Sequence, residues 1–172
     1  MGNLEFKKKE GKDADSVPYA LPSDFSGLIS KLKLLNIDEA QFIDWLKSKR
    51  GFEVPVSVFS ARPLGILESL SKYLHENVSL SFSQISTILN RDPRTIWTSY
   101  HKAASKMPEK MEVDYASLQV PIAIFQNRKY GTLESLVRHL KNDKGMKFSG
   151  IAKALKRDDR TVWTVYSRSN KK

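Results

Sequence analysis

Two five-residue runs carry the side chains best suited to a directional polar partner: Arg94-Thr95-Ile96-Trp97-Thr98 and Arg160-Thr161-Val162-Trp163-Thr164. A guanidinium is a planar fork that donates two parallel hydrogen bonds, which matches the paired acceptors on the major-groove edge of guanine. Threonine can donate to a phosphate or lay its methyl against that of thymine. A Trp on a polar helix face either packs back onto a neighbouring helix or is left for a partner, and an exposed one is uncommon. His101 lies one turn beyond Trp97, and Arg168 one turn beyond Thr164, so both extend the same faces. Lys153 and Arg157, just upstream of the second run, are cations of the kind that neutralise phosphate.

These runs belong to a larger repeat. Val54 to Ala103 aligns without a gap with Val120 to Ser169, 66 residues later, with 21 identities in 50 positions. Each copy opens on Val-Pro-x-x-x-Phe (Val54, Pro55, Phe59; Val120, Pro121, Phe125), an extended lead-in or a first helical turn. A helix is predicted from Gly65 to His75 and from Gly131 to Lys141, with Leu67, Leu70 and Leu74, or Leu133, Leu136 and Leu140, on one face. Glu68 and Glu134 recur in it and are expected to pair with an arginine such as Arg62 or Arg128.

A second helix begins near Ser81, where Gln84 completes a capping box; the other copy has Lys147 in the cap place. Phe82, Ile85 and Leu89, like Phe148, Ile151 and Leu155, face inward. A tight turn at Asn90-Arg91 or Lys156-Arg157 follows, and Asp92 or Asp158 caps the last helix. On that helix Ile96 and Tyr100, or Val162 and Tyr166, point to the core, which turns Arg94, Thr95, Trp97, Thr98 and His101, and Arg160, Thr161, Trp163, Thr164 and Arg168, outward.

The rest of the chain divides around the copies. Residues 1–20 form a polar tail, 21–51 a pair of helices, 52–103 the first copy, 104–119 an acidic linker with a short helix near Val113 to Leu118, and 120–172 the second copy. The 172 residues carry a net charge of +10, which favours a polyanionic partner. Residues 120–172 hold 13 basic and 4 acidic groups, against 6 and 4 in residues 51–106, so the second copy is expected to dominate affinity for such a partner.

With no cysteine, thiolate metal sites and disulfides are excluded. No run approaches the roughly 18 apolar residues of a membrane span, and the N-terminus has no apolar core of signal-peptide length. There is no Gly-rich phosphate loop, metal-ligand spacing or Ser-His-Asp set, so neither catalysis nor a cofactor is expected. A soluble cytoplasmic, nucleoid-associated protein fits these features.

Phe-Ser-x-Ile-Ala-x-x-Leu, a three-residue turn and x-x-Arg-Thr-Val together resemble the helix-turn-helix of sigma-factor region 4 and of related response-regulator domains. About 25 residues of each copy carry the likeness. The paired Arg-Asp-x-Arg-Thr-[Ile/Val]-Trp-Thr modules also resemble some archaeal transcription regulators, such as the euryarchaeal archaellum regulator. Two features depart from the pattern: Asn90 or Lys156 stands where the turn usually has glycine, and Trp97 and Trp163 stand where a basic residue is common.

The resemblance implies an all-α protein with two tandem helix-turn-helix domains and an N-terminal helical segment. Such a protein would put Arg94 to Thr98 and Arg160 to Thr164 in the major groove of double-stranded DNA and regulate transcription, with the transcription machinery as a further partner. The alternative is a protein-interaction module in which only the second copy binds DNA. Because tandem duplication requires no two-fold axis, and a linker of 16 residues extends to about 55 Å, related half-sites in direct orientation are expected. A palindrome would require the copies to pack face to face.

Overall fold

The computed structural model describes residues 52–172; the tail and helical pair expected over 1–51 lie outside the described residues. The described part is mostly helical, with one two-stranded sheet. The first copy runs β1 (Glu53–Pro55), a 3-10 turn at Val56–Ser60, α1 (Ile66–Lys72), α2 (Phe82–Leu89) and α3 (Pro93–Lys106). The second runs β2 (Gln119–Pro121), a 3-10 turn at Ile122–Phe125, α4 (Thr132–Arg138), α5 (Phe148–Leu155) and α6 (Asp159–Ser169). Helices α1 and α4 each end in a wider turn, Tyr73–Asn77 and His139–Asp143.

Local chemistry sets these boundaries. Ser81 Oγ accepts from the Gln84 backbone N–H at 3.2 Å, and Gln84 Oε1 accepts from the Ser81 N–H at 2.8 Å, closing the capping box of α2. Lys147 stands at the N-cap of α5 and makes no side-chain capping bond, as a lysine there implies. Both α2 and α5 stop at a residue in the left-handed region, Asn90 (φ 50°) and Lys156 (φ 48°), which reverses the chain within three residues. Asp92 and Asp158 then cap α3 and α6, and Pro93 supplies a preset φ at the first position of α3.

Glu68 and Glu134 each fix a helix end; Glu134 meets an arginine as expected, although it is Arg168 and not Arg128, while Glu68 meets a lysine and not Arg62. Each carboxylate folds back to accept from the N–H of its own helix N-cap, Gly65 or Gly131, at 2.9 Å. The end of the last helix in the same copy arrives at that place. Glu68 therefore pairs with Lys106 (2.7 Å), and Glu134 with Arg168 (3.2 Å) and Lys172 (2.5 Å). Arg62 and Arg128 stay exposed, and Arg128 Nη1 reaches the Asn90 carbonyl of the other copy at 3.1 Å.

The two copies meet face to face about a pseudo-two-fold axis. β1 and β2 pair antiparallel with Val54 opposite Val120, and these are the same position in the two copies. Glu53 faces Pro121 and Pro55 faces Gln119, pairs that exchange under the 66-residue offset. The flanking bonds exchange in the same way: Val56 N–H donates to Leu118 O at 2.8 Å, and Ile122 N–H to Phe52 O at 2.9 Å. Phe59 and Phe125, equivalent again, meet across the axis with centroids 5.5 Å apart and rings tilted at 49°. Each lead-in turn packs on the other copy: Val56–Ser60 against α5, and Ile122–Phe125 against α2. A single cluster of buried side chains runs through both copies.

The segment expected to be a linker with a short helix takes another form. Residues 107–118 contain no helix and are pinned to the first copy. Met111 is buried, its carbonyl accepts from Asn77 Nδ2 at 3.0 Å, and Ser57 Oγ donates to the Asp114 carbonyl at 3.0 Å. Asp114 makes a turn here, its Oδ1 accepting from Ala116 N at 3.0 Å, in place of the expected helix over Val113 to Leu118. The expectation of direct half-sites rested on freely placed copies, and face-to-face packing removes that premise.

A shared core unfolds as one unit. Phe125→Ala, which removes the ring packed on Phe59, should cost about 3–5 kcal/mol. Chemical denaturation followed by helix content and by tryptophan fluorescence should give one coincident transition. Two separated transitions, with only one moved by the substitution, would contradict the shared core.

Candidate nucleic-acid interface

Helices α3 and α6 are each held on one face by their own copy. Helix α3 packs on α1 and α2, and α6 on α4 and α5. Ile96 and Val162 are fully buried at the centre of those contacts, and Tyr100 and Tyr166 are half-buried beside them. Phe82 meets Tyr100 at 5.2 Å between ring centroids, and Phe148 meets Tyr166 at the same distance. The third member of each cluster differs. His75 stacks on Phe82 at 4.3 Å, whereas in the second copy Lys141 places its Nζ 4.9 Å from the centre of the Phe148 ring.

That anchoring fixes the outward face. Arg94, Thr95, Trp97 and His101 are exposed and Thr98 is half-buried; Arg160, Thr161, Trp163, Thr164 and Arg168 are all exposed. The side chains of Arg94 and Arg160 have no hydrogen-bond or ion-pair partner among the described residues. Their backbone N–H groups are satisfied by the capping carboxylates, Asp92 Oδ1 to Arg94 N at 2.8 Å and Asp158 Oδ1 to Arg160 N at 2.9 Å. The guanidinium rather than the helix end is therefore the group left without a partner among the described residues.

Both tryptophans keep half or more of their surface exposed. Trp97 is 50% exposed and Trp163 57%, the two largest exposures of any large apolar side chain described. Trp97 is steadied by His101, with ring centroids 4.0 Å apart. The second copy has Ser167 at the place of His101, so Trp163 lacks this support.

The other sequence-selected cations divide. Lys153 is exposed on α5. Arg157 is half-buried, and its Nη2 donates to the Leu64 carbonyl of the first copy at 2.6 Å, so that nitrogen is committed to the seam between copies. Arg168 is exposed but held at Nε by Glu134. The hydrogen bond from Lys172 is the largest influence on the Glu134 carboxyl and holds its pKa below the usual carboxylate range. A carboxyl depressed in this way stabilises the fold above that range and loses the contribution as pH falls through it.

Sequence reasoning missed Lys102, the exposed first-copy equivalent of Arg168 on α3. The 66-residue offset alone could have found it. Among the described residues, no three His, Asp or Glu side chains gather as metal ligands would, and no helix is long and apolar enough to cross a membrane. No family model, curated protein or solved structure matches the chain.

The turns that aim α3 and α6 carry backbone strain. Left-handed conformation costs a residue with a side chain about 1–2 kcal/mol, and asparagine bears it better than lysine. Glycine removes that cost but adds about 0.4–1 kcal/mol of unfolded-chain entropy. Lys156→Gly should therefore stabilise by about 0.5–1 kcal/mol, and Asn90→Gly by less, read from denaturation midpoints. A destabilising Lys156→Gly would mean that the lysine side chain makes a contribution larger than the strain it causes.

Proposed function

We propose that this chain is a sequence-specific duplex-DNA-binding protein whose copies are two helix-turn-helix units, and that it regulates transcription. The observation that carries the reading is the repeated outward set on α3 and α6. Arginine, threonine, tryptophan and threonine recur at the same four positions, and neither arginine side chain has a partner within the described fold. A surface that keeps an unpaired arginine and an exposed indole in two copies suits a ligand with paired acceptors and apolar edges, and the major groove offers both. Arg94 and Arg160 would discriminate bases, the indoles and threonine methyls would meet thymine methyls, and Lys153 would neutralise phosphate.

The charge balance supports the same reading and weights it. Most of the excess cation lies in residues 120–172, so phosphate attraction falls chiefly to the second copy, while both copies carry the base-reading set. The role in transcription follows from the resemblance to sigma region 4 and the archaeal regulators.

Arg160→Ala should cost about 1–3 kcal/mol of binding and relax the preference at one base position. Lys153→Ala should weaken all duplexes alike and lower the slope of log affinity against log salt by about 1. Titrations of both variants against matched and randomised duplexes separate these effects. An unchanged sequence preference in Arg160→Ala would sink the assignment of that residue.

A further inference from the structure

The symmetry of the fold bears on what kind of DNA site it would take. We infer that one chain, acting as an internal pseudo-dimer, binds a site whose half-sites are inverted, not direct, repeats. This rests on the DNA-binding reading above and adds the architecture of the ligand.

The argument is geometric. The antiparallel Val54–Val120 pair, the exchanged backbone bonds on either side and the Phe59–Phe125 contact define one axis relating the copies. A two-fold rotation leaves the component of any direction along its axis unchanged. The exposed faces of α3 and α6 therefore have equal components along that axis, the symmetry condition for both to meet one duplex laid across it. Duplex DNA has local two-fold axes perpendicular to its length, and aligning one with the protein axis brings equivalent side chains to opposite strands. The sequence read is then inverted.

A direct repeat would require one copy to turn by half a revolution relative to the other. That rotation would break the β1–β2 pairing, the Phe59–Phe125 contact and the packing of each lead-in turn on the opposite copy's helix. It would also break the Arg157–Leu64 and Arg128–Asn90 bonds between copies. The connection between the copies offers no slack, because residues 107–118 are held by Met111 and Asp114 before β2 begins.

The two halves should be related but unequal. The identical arginine, threonine and tryptophan positions call for a shared core in each half-site, while Ser99 against Val165 and His101 against Ser167 alter its edges. An ordinary dimeric reader obtains its palindrome from a second chain. Here the second half of the reader is already in the same polypeptide.

The test is selection of the full chain on a library of random-sequence duplexes, followed by titration of the enriched sequence and native mass measurement of the complex. The inference expects enriched sequences with imperfect inverted symmetry and one chain per site. It also expects at least about a 10-fold loss when one half-site is flipped into direct orientation at the same spacing. Enriched direct repeats, a lone half-site, or two chains on one inverted site would each overturn it while leaving DNA binding intact. No enrichment over the starting library would instead overturn the DNA-binding reading, and this inference with it.

Discussion

The antiparallel pairing of β1 with β2 is the constraint on which the rest of the structure depends. Three residues on each side are too few to hold a ribbon in water by themselves. They hold here because each strand leads into a turn that buries its side chains against the opposite copy. Val54 and Val120 sit at the centre of the pair with no exposed surface, and Phe59 and Phe125 close the layer beneath. Each prolyl ring stands where the partner strand has no need of its missing donor, since the residue after it supplies the flanking bond. Equivalent segments meeting in antiparallel register generate a two-fold relation, and the seam passes that relation on to the helices that follow.

Much of the local structure was legible because its determinants are local. The capping box at Ser81 and Gln84, the aspartate caps, the tight turns and the inward Ile96 and Val162 all follow from residues within a few positions of one another. The assembly of the copies was not legible, because Val-Pro-x-x-x-Phe is ambiguous in isolation. It serves as a lead-in to either a free domain or a shared seam, and only the partner strand decides. The same limit applies to Glu68 and Glu134: recurrence marked them as important, but a carboxylate on a first turn can meet any cation that the tertiary fold delivers. The fold delivered the end of the last helix, Lys106 or Arg168 and Lys172.

The outward face was legible in kind but not in its support. Helical spacing separates Arg94, Trp97 and Thr98 from Ile96 and Tyr100 without any tertiary information. It cannot tell that Arg157 spends one nitrogen on Leu64 across the seam, or that His101 steadies one indole while its counterpart is bare. These differences make the copies unequal within a symmetric frame. The first copy has the better supported tryptophan, and the second has the greater charge. A polyanion would be attracted mainly by one half and read by both.

The central claim is that the outward faces of α3 and α6 both enter the major groove. Protection of guanine N7 from methylation on a bound duplex reports that groove directly, because N7 lies on its edge. The account predicts two separate clusters of protected guanines, one lost in Arg94→Ala and the other in Arg160→Ala. Guanines that stay reactive in the bound complex, or a single cluster indifferent to both substitutions, would contradict it.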